Sequence, residues 1–451
     1  MVALLIGLGI LIGLGDSLPF HGRKPLSPYD LARKREGWVI VGYPAGGYDA
    51  LRTVGFAGVL SLAYNGKASS PTFAYEPYRY YFFLQGGFFL RESRYVRFLF
   101  DAPWVKGSPY RLSLRLNYRE ESQGQFWGLG EAHLGRFQAA PSLSRYERQL
   151  AQAWQDSQGV WVTRAAAHYF YISQWQAWMS AERTLLGGRL RLVGSLRTLT
   201  ERLASLAGRR YEVSTPTGEK VWAQQQPTTL DSALQGFQPL PSNVEIRLGR
   251  WQWRTYGGLA LVWDTRDFEI SPSRGWLIEG SYELRLPFST HRLAFGIRNY
   301  HLWYQSPSQR WIIGGALHSA AIAQVGRLLP LTDLQAYNRW ADFRSSALLT
   351  GSLTVRAFRE NRFVTPFAYL FQYELRTRIG EVRLWHQHFM GGPVLFVDVA
   401  TGTDALHLPS RVIYGVGAGM RLLWNMNLVL RADLAWGREG LQLYFTTTHP
   451  F

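Results

Sequence analysis

Two histidines stand one residue apart in "HQH", His386 and His388, and such a pair could hold a metal ion. A zinc site takes four ligands, three or more from the protein, and no ordered third ligand accompanies this pair in what reads as a turn, so no metal is assigned. "GLGEAHLG" at 128–135 has the glycine content of a phosphate loop, but no helix follows to aim N–H groups at an anion. No Ser, His and Asp stand in a nucleophile elbow. The chain has no Cys, which removes a thiolate zinc site, a Cys nucleophile, a disulfide scaffold and a lipoprotein anchor. These residues point away from an enzyme and imply no cofactor. Trp175 and Trp178 of "WQAWM" suit a membrane girdle better than a ligand cage.

Two carboxylates remain. In "FAYLFQYELR", Phe367, Tyr369, Phe371 and Tyr373 occupy one face of an alternating segment and Glu374 the other. In "VLFVDVA", Leu395, Val397 and Val399 share a face and Asp398 opposes them. The two segments are successive strands, so both carboxylates lie on one patch of the polar side.

The elements that must position them are strands of a membrane barrel. Charged residues are only 18% of the chain, against roughly 25% in soluble domains. Aromatics reach 15% and there are 45 Gly, a composition that fits a membrane β-barrel. No apolar run reaches the roughly 18 residues of a spanning helix. Period-two alternation recurs instead. "RLSLRLNYRE" sets Leu112, Leu114, Leu116 and Tyr118 against Arg111, Ser113, Arg115, Asn117 and Arg119. "RLRLVGSLRT" and "NLVLRADLAW" repeat the pattern, the second with Arg431 and Asp433 on the polar face.

The pattern predicts an all-β, 16-stranded antiparallel transmembrane barrel with strands near 38–45, 53–65, 77–90, 94–103, 110–119, 160–184, 188–202, 254–265, 274–286, 291–305, 310–325, 365–377, 391–400, 411–424, 427–437 and 440–451. Three long connections, 120–159, 203–253 and 326–364, follow odd strands and read as outer loops. Connections after even strands are mostly short and read as periplasmic turns. Residues 1–18 fit a signal peptide, with an apolar run from Val2 to Leu14 but no basic start. Residues 19–37 read as a short periplasmic tail and 38–451 as the barrel. The cylinder closes where Trp38, Val39 and Ile40 meet Leu441, Leu443 and Phe445, with Phe451 at the membrane interface.

The formal charge is +17, yet the arginines alternate with Leu inside strands and form no basic helix or tail, which excludes nucleic acid. In a barrel they line the lumen, either as an anion path or as a solvated wall, and the sequence supports both readings equally.

Several stretches then resemble the BamA/TamA family, the bacterial surface antigen superfamily of outer-membrane assembly and secretion barrels. "TVRAFRENRF" at 354–363 resembles the family's V-R-G-F/Y motif in the sixth outer loop, with Val355, Arg356 and Phe358 in its places. "FVDVA" at 396–400 is similar to the F-x-D-x-G of the thirteenth strand, through Phe396 and Asp398. "WDTRDFEISPSRGW" resembles the family's periplasmic turn, through Asp264, Arg266, Asp267, Pro272 and Gly275. The C-terminal "LLWNMNLVLRADLAWGREGLQLYF" resembles its closing hairpin.

The resemblance implies that the sixth loop folds into the lumen and that Arg356 pairs with Glu374 and Asp398 as a lock. Arg suits this task because its planar fork bonds carboxylates bidentately and stays charged. It also implies a lateral seam between the first and last strands in the bacterial outer membrane, among lipid and lipopolysaccharide. Unfolded outer-membrane proteins are the implied substrates, and a periplasmic or lipoprotein subunit the implied partner. A passive anion-favouring channel or a structural scaffold is the alternative. Two departures stand out. Ala357 and Ala400 replace family glycines, which predicts a shallower or altered loop pose. The family's periplasmic POTRA domains are not expected in the residues ahead of the first strand.

Overall fold

The computed structural model describes residues 24–49, 53–75, 78–90, 93–103, 105, 108–130, 143–236, 241–308, 311–385, 387–407 and 411–447. The signal-peptide reading of 1–18 and the interfacial reading of Phe451 fall outside these residues.

Alternation does build one large antiparallel wall. Its strands are β1 (Trp38–Asp49), β2 (Thr53–Tyr64), β3 (Tyr80–Phe89), β4 (Ser93–Ala102), β5 (Tyr110–Gln125), β6 (Tyr169–Leu185), β7 (Leu190–Ala204), β8 (Trp251–Asp264), β9 (Gly275–Leu286), β10 (Thr290–Gln305), β11 (Ile312–Gly326), β12 (Phe367–Arg378), β13 (Gln387–Thr403), β14 (Ile413–Trp424), β15 (Leu428–Gly437) and β16 (Gly440–Thr447). Gly380–Leu384 continues β12 beyond a break at Ile379, and both pieces pair with β13. The 17 segments of the sheet are therefore sixteen strands. Each strand pairs with the next in chain order, from Trp38 opposite Tyr64 at one end to Leu430 opposite Thr447 at the other. Pairing of each strand with its neighbour in the chain is what lets backbone polar groups cross a bilayer. Among the described residues no helix is long and apolar enough to cross a membrane.

Side chains sort by parity. On β5, Leu112 and Leu116 are 44% and 43% exposed on the lipid side, while Ser113 and Arg115 are buried on the lumen side. Aromatic rings gather towards the two rims. Trp38 lies 5.1 Å from Tyr64 and 6.3 Å from Phe82 at the short-turn end. Phe56 packs 5.9 Å from Phe88, and Tyr118 4.3 Å from Trp175, towards the long-loop end.

The expected sixth strand, 160–184, divides. Trp161–Thr163 leaves the wall and joins Ala153–Gln155, Arg210–Ser214 and Lys220–Gln225 in a small separate sheet. A turn through residues 165–168 breaks the alternation before β6 begins. The long connections are thus structured. Phe126, Phe170, Leu203 and Leu230 from the first two of them and their strands pack with Leu331, Leu334 and Val364 of the third.

At the short-turn end, residues 24–37 do not hang free as a tail. Lys24 reaches Asp264 at 2.9 Å and donates to the Arg266 carbonyl. The Arg33 fork takes both oxygens of Glu381 at 3.0 Å. Leu26 buries among Phe268, Met390, Leu423, Met426 and Val429. The segment is a strap that ties the 265–274 turn to β12–β15.

Candidate functional site

The connection from β11 to β12, residues 327–366, enters the lumen and touches both sides of it. Its tip is a hairpin of Ala336–Arg339 and Arg344–Ala347. The backbone N–H groups of Trp340 and Ala341 each donate to Glu279 of β9 at 2.8 Å. Asp342 accepts from Arg298 of β10 at 2.7 Å, and Asn338 donates to Glu283 at 3.0 Å. Trp340 fits because Gly258 of β8 carries no side chain, since a Cβ there would strike its ring. Trp178 is no girdle residue. It faces inward, fully buried, with its ring 4.4 Å from that of Phe343. Trp175, three residues earlier, stays on the lipid side at 58% exposure.

The returning arm of the loop carries Arg356 to the opposite wall. Its Nε and Nη2 donate to the two oxygens of Asp398, both at 2.7 Å, and its backbone N–H adds a third bond at 3.1 Å. Nη1 donates to Glu374 at 2.6 Å and to Asp433 of β15 at 3.1 Å. The guanidinium carbon lies over the ring of Phe396, 3.4 Å from its centre. Two of the three carboxylates are held in turn by Arg421, which bridges Glu374 and Asp433 at 2.6 and 2.5 Å, and Glu374 also by Arg376 at 2.7 Å. Gln372 donates to the Thr354 carbonyl at 2.7 Å and to Asp398 at 3.1 Å. Arg356, Glu374, Asp398 and Asp433 are all fully excluded from solvent. A buried charge survives only when paired and hydrogen-bonded, and every one of these is.

Sequence reasoning placed Arg356, Glu374 and Asp398 together and missed Asp433, Arg421, Arg376 and Gln372. Asp433 was legible as an inward residue, but nothing local names its partner. Two further links were also missed. Tyr444 of β16 donates to the Phe358 carbonyl at 2.8 Å, and Arg362 donates to Glu439, in the turn between β15 and β16, at 2.7 Å. Val355 and Phe358 are buried in one apolar cluster with Phe396, Ala400 and Phe363.

Ala357 sits against the wall. Ala357 is fully buried, and its methyl lies where Gly415 of β14 and Gly437 of β15, direct cross-strand partners, leave room. A Cβ on Gly437 would lie 2.6 Å from that methyl. The turn after β8 buries Asp264, Arg266 and Phe268. Arg266 bonds Asp264 at 2.8 Å, and Asp267 accepts from the Ser273 backbone at 2.9 Å across Pro272. Gly275 has φ 107°, and a side chain there would run into the Thr265 backbone. His388 lies at the start of β13, not in a turn, and meets Glu381 at 2.9 Å; His386 falls outside the described residues. Among the described residues no group of three His, Asp or Glu could hold a metal.

Of the seam residues, Trp38 and Ile40 face lipid, as do Leu441, Leu443 and Phe445, while Val39 is buried on the lumen side. No ladder joins β1 to β16 among the described residues.

With this geometry in hand, residues 84–448 match the family model of the Omp85 superfamily domain. The chain belongs to the Omp85 superfamily. The Omp85 barrel is accordingly an outer-membrane protein of bacteria, within a superfamily of insertion and translocation barrels. Residues 16–79 match a second family model, a domain of unknown function (DUF5982). No curated protein matches the chain. Among solved structures it is similar to BamA from Haemophilus ducreyi lacking POTRA domains 1–3, at 11% identity and a TM-score of 0.45, over 92% of this chain and 70% of that one. It is also similar to CdiB from Escherichia coli, at 10% identity and a TM-score of 0.47, over 91% of this chain and 62% of that one.

Proposed function

We propose that this barrel assists the insertion or translocation of other outer-membrane or secreted polypeptides at a lateral seam between β1 and β16. The observation that carries the proposal is the attachment of the sixth loop to the closing hairpin. Arg356 to Asp433, Arg362 to Glu439 and the Phe358 carbonyl to Tyr444 tie the loop to β15 and β16. A loop movement is therefore felt by the last strand. An edge strand offers unpaired backbone groups to an incoming strand, and edge pairing needs no cofactor and no covalent step. The loop crossing the lumen weighs against a passive anion-favouring channel.

A partner subunit fits at the short-turn end. The strap covers part of the 265–274 turn and also the connection after β2, where Lys34 donates to the Phe73 and Tyr75 carbonyls, so the connection between β4 and β5 is the better docking place. Lipid and lipopolysaccharide surround the apolar belt.

The chain has no Cys, so Ile40→Cys with Phe445→Cys allows one disulfide across the seam. Oxidation is expected to abolish support of cell growth and to lower outer-membrane protein levels, and reduction to restore both. If growth and protein levels are the same in the oxidised and reduced states, the seam is not the working part.

A further inference from the structure

The lumen holds a second arginine-rich region, away from the lock. Arg115 of β5 projects inward beside the packed rings of Trp178 and Phe343, its guanidinium carbon 5.7 and 5.4 Å from the two ring centres. Arg115 is only 9% exposed. One of its amino groups donates to the Phe343 carbonyl. Its Nε–H has no partner among the described residues, and neither does the indole N–H of fully buried Trp178. Buried donors are satisfied in the great majority of folded proteins, so two neighbouring unsatisfied donors point to an acceptor supplied from outside the chain.

Charge indicates which acceptor. Arg97 of β4, and Arg339 and Arg344 of the loop tip, act electrostatically on Arg115. The carboxylate of the loop tip, Asp342, is already held by Arg298 at 2.7 Å and flanked by Arg339 at 3.8 Å. Glu121 is paired with Arg119 at 3.2 Å, and Glu360 acts on Arg97 from the returning arm. A donor-lined place with this excess of guanidinium groups suits a compact oxyanion, which guanidinium binds in forked fashion and an indole N–H binds as a neutral donor.

We propose that strands β4–β6 and the tip of the sixth loop form a binding site for a phosphate group, with Arg115 and Trp178 as its inner donors and Arg97, Arg339 and Arg344 as its charged surround. The bound group would bridge wall and loop tip on the side of the lumen away from the lock. The site stands independently of the seam reading.

The full barrel, purified in detergent and chloride buffer, is titrated calorimetrically with inorganic phosphate and, separately, with glycerol 3-phosphate. Sodium chloride at matched ionic strength is the control. The expected result is saturable binding over the control, weakened about tenfold or more by Arg115→Gln, as loss of a hydrogen bond to a charged group predicts. Arg97→Gln, at a side chain exposed to lumen water, is expected to weaken it as well and carries the test if Arg115→Gln does not fold. Equal affinity for the two ligands assigns the site to the free anion, and preference for glycerol 3-phosphate assigns it to a phosphoester. Heats indistinguishable from the chloride control, or equal affinity in the wild type and Arg97→Gln, overturn the proposal.

Discussion

At the scale of the residue, the decisive side chain is Arg356. It meets three carboxylates on three strands, Glu374, Asp398 and Asp433. All four groups are dry, so loss of the cation leaves charges that cannot be resolvated. Arg356→Ala is expected to cost about 3–5 kcal/mol, measured as thermal unfolding in detergent. Arg356→Lys is expected to recover little, because an ammonium cannot occupy both oxygens of Asp398. Exchange of the charges in an Arg356→Asp, Asp398→Arg double variant is expected to regain part of the stability lost in each single change. No regain would show that the pairing is incidental. Ala357 gives a steric counterpart. Gly437→Ala is expected to cost about 1–3 kcal/mol through overpacking, and Ala357→Gly in the same chain to remove that cost. Parity alone placed Glu374 and Asp398, because a strand side chain has only two sides. It also placed Asp433 inward but could not assign its partner, which lies 77 residues away in the chain.

At the scale of the element, the long connections hold more than their composition shows. Alternation fails in them, so their small sheet was not legible, and Trp161–Thr163 was merged with the strand that follows. The arms near the outer mouth are joined by His168, which stacks on Trp127 at 3.7 Å and meets Thr229 at 2.8 Å and Tyr146 at 3.1 Å. Burial, helped by Arg362 and Arg359, pulls its pKa down to about 3. The unfolded chain takes up this proton near pH 6.5, and the folded cap resists it. A depressed folded value means that the unfolded state binds more protons between about pH 6.5 and about 3, so stability falls as the pH drops through that window. Limited proteolysis of the 143–165 segment is expected to quicken over this range, and the excess over neutral pH is expected to shrink in His168→Gln. The strap of residues 24–37 was read only as a polar tail. Its charges pair with residues some 240 and 350 positions distant, which no local pattern announces.

At the scale of the whole molecule, the lumen is occupied. The tip hairpin binds β9 and β10 through Glu279 and Arg298, while Arg356 binds β12, β13 and β15. The loop is therefore a crossbar, and the inward arginines largely face its carboxylates and the wall's own. Small conductance is expected from the intact barrel in a planar bilayer. Deleting 336–347, which leaves the lock in place, is expected to raise conductance and favour anions. Equal conductance before and after deletion would mean that the crossbar does not govern passage.

The sequence by itself determined the wall. Sixteen alternating segments and the side each residue faces follow from a period of two and from the demand that every backbone group in lipid be paired. Tertiary structure alone decided what fills that wall. Which carboxylates Arg356 meets, how Gly415 and Gly437 accept Ala357, and where the strap and the loop tip lie depend on approaches between strands far apart in the chain. Those approaches exist only once the wall curves around a common interior, and no repeat in the chain encodes them.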